Sequence, residues 1–315
     1  MGKRMKSMRL RARRTAQWCA TLLSNGYAAG FMNARIYTGG AKKFCLPGLN
    51  CYSCPGALGS CPIGSLQAVM GSHKFSFSWY VAGILIFFGA LFGRAVCGWL
   101  CPFGLVQDLL HKIPLPRRLK NMRRKGLPGH GALKWLKYFI LAWFVILAPL
   151  FIVDIVGQGA PWFCKYICPA GTLEGGWLLV MMDSALRGAI GWLYAWKSFI
   201  LIALIVLSIF VYRPLCKYLC PLGAIYSVFN PVALVRFKLD KSKCTSCGQC
   251  TRACPMQVDV QKNCNSLECI RCGACLDACH FGALDYANHL PKLGRARSAS
   301  EGESAQSDGA HGDAS

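Results

Sequence analysis

Acidic residues are scarce. The 315-residue chain has 13 Asp and Glu against 36 Lys and Arg, a formal charge of +23, and only 16% of it is charged at all. So basic a balance raises nucleic acid as a partner. The basic residues instead flank apolar blocks, so membrane topology accounts for them more simply and no nucleic-acid partner is expected. Also missing are a P-loop, a Rossmann glycine fingerprint and a nucleophile elbow. No flavin-attachment motif stands out. What the chain has in excess is apolar residues, at 54%, and cysteine, at 20. A secreted disulfide scaffold is shorter and more polar. Ligation of cofactors is the better account of so many thiols.

The densest thiols run from Cys244 to Cys279. Cys244, Cys247, Cys250 and Cys254 are followed by Pro255, and Cys269, Cys272, Cys275 and Cys279 repeat the spacing. Both halves read C-x2-C-x2-C-x3-C, the bacterial iron–sulfur run in which the fourth cysteine serves the other cluster. The spacing assigns Cys244, Cys247, Cys250 and Cys279 to one [4Fe–4S] centre and Cys254, Cys269, Cys272 and Cys275 to a second. Structural zinc is the alternative for C-x2-C pairs, but two identical tetrads argue against it. The segment 236–290 resembles the two-cluster bacterial ferredoxin domain, which implies a small α+β ferredoxin-like fold. His280 stands where the second run would have its proline, and Cys264 fits neither run, as a free thiol would.

The rest of the chain reads as an α-helical membrane domain, residues 15–235, behind a basic N-terminus, 1–14. Four spans are expected. A weak first one covers Thr15 to Ile36, with Cys19 as a buried free thiol. Trp79 to Phe92 is short unless Phe75 and Phe77 extend it. Trp135 to Val153 is the clearest, and Trp192 to Tyr212 is the last. Gly175 to Gly191, interrupted by Asp183 and Arg187, reads as interfacial or re-entrant. The acid-free loop from Lys112 to Lys125 and the basic N-terminus set the cytoplasmic side, and with it the ferredoxin domain. A full crossing by Gly175 to Gly191 would reverse that. Residues 291–315 lack apolar periodicity and read as a disordered tail.

The string Cys-Pro-x-Gly occurs at Cys61, Cys101, Cys168 and Cys220. In each half one copy precedes a span and one follows it, so the membrane domain is an internal repeat. Proline after the cysteine suits the first turn of a helix. That helix then aims its free N–H groups at a thiolate or a cluster sulfide. In C-x3-C the two thiols share a face if the segment is helical. Cys97 and Cys101 therefore combine with Cys216 and Cys220 as an inner, cytoplasmic-side set. An outer set joins Cys164 and Cys168 to two of Cys51, Cys54 and Cys61. Cys45 and the leftover thiol are free to form a disulfide. Buried thiols packing as small apolar side chains are the alternative for both sets.

The paired motifs at 97/101 and 216/220, followed by the ferredoxin runs, resemble the membrane polyferredoxins. That family includes the NapH-type quinol dehydrogenase subunit of periplasmic nitrate reduction and the membrane part of the NosR-type regulator. The resemblance covers residues 79–285 and implies a multi-pass protein of the cytoplasmic membrane that transfers electrons through [4Fe–4S] clusters. The Cys45–Cys61 loop and the pair at 164/168 exceed the two-pair pattern. The expected role is relay between a cytoplasmic redox partner at the ferredoxin domain and a partner at or beyond the membrane. Lys238, Lys241, Lys243 and Arg252 form a basic edge suited to an acidic ferredoxin or flavoprotein, or to anionic lipid. A quinone between spans is an allied expectation. A quinol dehydrogenase subunit and a redox-linked assembly or regulatory protein are the alternative roles. His73, Asp108 and His111 read as ordinary interfacial polar residues.

Overall fold

The computed structural model describes residues 2–33, 35–72, 78–114, 129–154, 158–188 and 190–287. His73, most of the basic 112–125 loop and the expected tail lie outside the described residues. The described part is mostly helical. Its principal helices are α1 (Gly2–Ser24), α2 (Pro62–Met70), α3 (Trp79–Phe92), α4 (Pro102–Leu110), α5 (His130–Phe151), α6 (169–182), α7 (Trp192–Phe210) and α8 (Pro221–Phe229). A small lobe follows, with β1 (Phe237–Leu239), α9 (Gln249–Ala253), α10 (Ala274–Ala278) and β2 (Leu284–Tyr286).

Two helices are long and apolar enough to cross a membrane, α5 and α7, while α3 is apolar but has 14 residues. At 1.5 Å per residue α3 reaches about 21 Å. The expected first span takes a different form. Its helix begins at Gly2, ends at Ser24, and gives way to a short turn of helix at Ala28–Asn33. Arg13, Gln17 and Ser24 face inward along α1, while Trp18, Leu22 and Leu23 face out. The reason is Asp108 on α4. It accepts from the Arg13 guanidinium and takes a two-pronged pair from Arg213, both contacts at 2.7 Å. Burial alone would raise the Asp108 carboxyl, but Arg213 and Arg13 outweigh it and hold the group below its usual range. Asp108 is thus an anchor for α1. Cys19 on the same helix is exposed, not buried as expected, because the inward stripe is taken by polar side chains.

Between Gly175 and Gly191 the chain does not run as one helix. The α6 backbone leaves helical geometry at Asp183 and resumes briefly at Ser184–Arg187. At its start α6 carries a π-helical stretch, Thr172–Trp177. α2, also short, reaches about 14 Å and α6 about 21 Å, roughly half and two-thirds of the hydrocarbon thickness of a bilayer.

The lobe is held by an antiparallel pair in the register Phe237↔Tyr286 and Leu239↔Leu284. It docks on the helical part through one crowded corner. Asn230, at the end of α8, donates to the carbonyls of Ser266 and Cys269, both at 2.8 Å, and its Oδ1 accepts from the Arg94 N–H. Arg271 donates to the carbonyls of Phe92 and Asn230, both at 2.6 Å. Glu268 is shared by Arg94, at 2.7 Å, and Lys137. Gly98 lets this corner close, since a Cβ there would run into the Ile270 carbonyl.

Candidate metal centres

Each of the four Cys-Pro-x-Gly strings begins a helix with its proline in the first turn, as the residues require: α2 after Cys61, α4 after Cys101, α6 after Cys168 and α8 after Cys220. Each cysteine is an extended N-cap. The Gly171 and Gly223 N–H groups point at the Cys168 and Cys220 sulfurs, both at 3.4 Å. The cysteine four residues earlier sits otherwise than expected. Cys97, Cys164 and Cys216 lie in separate short helical turns, so each C-x3-C is a helix break and not one continuous face. The proline that starts the second helix is what breaks the first.

The structure brings Cys97, Cys101, Cys216 and Cys220 together. All four are buried, at 3–6% exposure, and lie within reach of one another's charge. The two arms are laced crosswise. Three residues before Cys216, Arg213 donates to the Cys97 carbonyl at 2.5 Å; three residues before Cys97, Arg94 donates to the Cys216 carbonyl at 2.7 Å. Both guanidinium groups are fully buried. Burial pushes the Cys97 thiol up to about 11, against the pull of Arg94, and the Cys101 thiol up to about 12. Left to themselves such thiols keep their protons at neutral pH. Holding four thiolates here would need a cationic centre among them, as iron would supply.

Of the outer candidates, the structure brings Cys51, Cys61, Cys164 and Cys168 together. Their side chains line one cavity of about 780 Å³ and feel one another's charge. The Cys51 and Cys168 sulfurs lie at one wall, in ordinary contact distance of a Cβ position on Gly171, at 3.6 and 3.9 Å. Cys54 is not part of it. Its thiol turns to Asn25 Oδ1 at 3.5 Å. Nor do Cys45 and Cys54 pair, for all 20 cysteines are free and Cys45 donates to Ser65 Oγ at 3.4 Å. Cys54→Ala is therefore expected to leave the iron content of purified protein unchanged, whereas Cys51→Ala lowers it; iron analysis of both variants checks this.

The two sets adjoin, although the sequence reading puts them at opposite faces. Gly48 packs on the backbone of Cys101, with its Cβ position 3.2 Å from that Cα, and Tyr226 donates to the Pro47 carbonyl at 3.0 Å. Cys51 is three residues further on. At most about 11 Å of extended chain links the residue against Cys101 to a member of the other set.

In the lobe, Cys244, Cys247, Cys250 and Cys279 line one small cavity, and Cys254, Cys269, Cys272 and Cys275 line another. That is the expected exchange of the fourth cysteine. Cys264 lines the second cavity too, but its thiol is turned to the Phe237 carbonyl at 3.5 Å. Ser246 and Gly248 in one run, and Arg271 and Gly273 in the other, hold positive φ. This conformation turns successive backbone N–H groups to one side, a cradle for an anionic centre. Among the described residues no three His, Cys, Asp or Glu side chains close to single-ion spacing. Thiol tetrads in apolar surroundings, with N–H donors beside them, have the donor set a cubane would need, one sulfur for each iron.

A protein of this build is a 4Fe–4S protein, and the comparisons agree. The chain matches the 4Fe-4S binding domain family over residues 77–123, 138–180 and 193–242, and the 4Fe-4S dicluster domain family over 236–280. It belongs to the polyferredoxin family. An uncharacterized protein of Methanocaldococcus jannaschii is 31% identical over 214 residues, 66% of this chain and 78% of its own length. The putative electron transport protein YccM of Escherichia coli is 26% identical over 222 residues, 69% of this chain and 56% of its own. The ferredoxin-type protein NapH of Haemophilus influenzae is 27% identical over 173 residues, 55% and 51% of the two chains. No solved structure matches. The chain is an iron–sulfur electron-transfer protein.

Two features of the site lay beyond the motifs. The crossed arginines stand at the same offset before Cys97 and Cys216, and a third repeated position follows each Cys-Pro. Aligning the halves on their cysteines exposes both.

Proposed function

We propose that the chain holds four [4Fe–4S] clusters and relays electrons between a cytoplasmic redox partner at the lobe and an acceptor or donor in or beyond the membrane. Cys244, Cys247, Cys250 and Cys279 hold the first cluster, and Cys254, Cys269, Cys272 and Cys275 the second. Cys97, Cys101, Cys216 and Cys220 hold the third, and Cys51, Cys61, Cys164 and Cys168 the fourth. Bound there, the clusters supply one-electron donation and acceptance with little rearrangement. The single observation that carries this reading is the adjacency of thiol sets along the fold. Trp99 Nε1 donates to the Arg271 carbonyl at 3.1 Å, so the turn bearing Cys97 and Cys101 rests on the loop bearing Cys269 and Cys272. The Pro47–Cys51 strand continues to the last set.

Membrane insertion is supported by what α3, α5 and α7 leave uncovered. Trp79, Phe87, Phe139, Trp143, Phe199 and Ile202 are all about half exposed or more. In the most apolar stretches of α5 and α7 only 28% and 17% of residues are buried. A core helix of a water-soluble domain hides its apolar residues; these show them, as lipid-facing helices do. On this reading four segments cross, α1 with its continuation among them, and the lobe is cytoplasmic. α2 and α6 are half-helices that enter without crossing and present their N-termini to the fourth set at depth. The cavity around that set reaches Leu179, Ile190 and Tyr194 and is roomy enough for a quinone ring. At the other end Cys247 is exposed, and Lys238, Lys241, Lys243 and Arg252 are exposed around it. This rim suits an acidic ferredoxin or flavoprotein.

The test is anaerobic purification with iron and acid-labile sulfide analysis. About sixteen irons and as many sulfides per chain are expected. A value near eight would limit the clusters to the lobe and remove the relay.

A further inference from the structure

The residue six positions after each Cys-Pro cysteine does the same job four times. Gln67, six after Cys61, reaches across to the other half: its Nε2 donates to Cys164 Sγ at 3.3 Å and its Oε1 accepts from the Phe163 N–H at 3.0 Å. Gln107, six after Cys101, repeats the pose, with Nε2 donating to Cys216 Sγ at 3.6 Å and Oε1 accepting from the Leu215 N–H at 3.1 Å. In the second half the same place holds Glu174 and Tyr226. Glu174 accepts from the Cys51 N–H at 2.7 Å, and Tyr226 donates to the Pro47 carbonyl. All four therefore brace a cysteine-bearing strand from the opposite part of the fold. Only the two glutamines donate to a sulfur.

We propose that Gln67 and Gln107 are positioning residues that set the reduction potentials of the fourth and third clusters, one glutamine to each. This rests on the reading that both thiol sets hold clusters. An N–H donor to a ligand sulfur favours the more negative, reduced state, so it raises the potential. Burial strengthens the effect: Gln67 is 0% exposed and Gln107 1%, and a hydrogen bond in so dry a place is little screened. The amide geometry is also fixed at both ends. With Oε1 held by the backbone N–H just before the cysteine, Nε2 divides its two hydrogens between the sulfur and a carbonyl of its own helix, that of Ile63 at 3.2 Å for Gln67 and that of Phe103 at 3.4 Å for Gln107. A methionine fills a similar volume but neither donates nor accepts strongly. Packing alone would not call for an amide at both sites, since a buried amide is costly unless its partners are met.

The experiment is an EPR-monitored redox titration of the full chain in detergent, for the native protein, Gln67→Met and Gln107→Met. Each variant is expected to lower the midpoint of a single centre, a different one in each case, with the lobe's two centres unmoved and iron and sulfide unchanged. As a check that needs no variant, native protein grown with amide-¹⁵N-labelled glutamine is expected to show a ¹⁵N coupling at both reduced centres. Midpoints that do not move in fully loaded variants would overturn the proposal, as would absence of the coupling in native protein that holds all four clusters. Native protein holding only the lobe's two clusters would instead overturn the reading of function beneath it. If a variant loses its cluster, the labelled native protein decides the matter.

Discussion

Replacing Cys97 and Cys216 together by serine is expected to remove about four irons per chain and leave about twelve. The loss should be confined to one centre because each set draws on its own strands. Cys97 and Cys216 are buried beside Cys101 and Cys220, and their carbonyls are tied crosswise by Arg213 and Arg94. Serine keeps the side chain's shape but is a hard, weakly acidic donor where soft thiolates are needed. Electron passage from the lobe to the fourth set should fall to background, since the third set lies between them. Iron analysis with EPR on each variant, and reduction of a membrane-side acceptor by a reduced ferredoxin, measure the two effects. A double variant that keeps its full iron would break the assignment of the third set. Loss of all iron would show that this set is needed for the fold itself.

Glu268→Ala should destabilise the docked lobe by about 3–5 kcal/mol, the usual cost of leaving one side of a buried ion pair without its partner. Here two cations lose it. Arg94 and Lys137 both have fully buried side chains and both meet Glu268. Burial alone would raise the Glu268 carboxyl, but these two cations outweigh it and keep the group below its usual range. A domain is typically stable by only about 5–15 kcal/mol, so the loss is a large part of the whole. Hydrogen exchange should rise first at residues 266–272 and 94–101, the two sides of the docking corner, and the melting temperature should fall. Glu268→Gln, which keeps hydrogen-bond acceptance without the charge, should fall between native and alanine. A Glu268→Ala chain with native exchange at both segments would mean that Asn230 and Arg271 hold the corner unaided.

Thiol spacing made the lobe legible, because the C-x2-C-x2-C-x3-C runs tie each ligand to a local turn. The four Cys-Pro helices were legible for the same reason: proline and a preceding N-cap are local signals. What spacing could not supply was distance between strands far apart in the chain. Nothing local separates Cys51 from Cys54. What tells them apart is Asn25, which the Cys54 thiol meets, and Gly171, beside which the Cys51 sulfur lies. The side-by-side placement of the two sets in the helical part was hidden likewise, since it depends on Pro47 and Gly48 lying against Tyr226 and Cys101. Hydropathy also undersold α1. Its basic residues read as a topology signal, yet Arg13 is a structural pin and Arg9 reaches Asp277 on α10 at 3.4 Å.

The crossed arginines have a consequence for either half taken alone. Arg94 and Arg213 each complete the other half's cysteine turn, so a chain with one half alone would present a guanidinium with no carbonyl to grip and a carbonyl with no guanidinium. Two copies of such a half, turned face to face about a twofold axis, would satisfy both. The single chain thus holds within itself the reciprocal bonding that a twofold dimer makes between subunits.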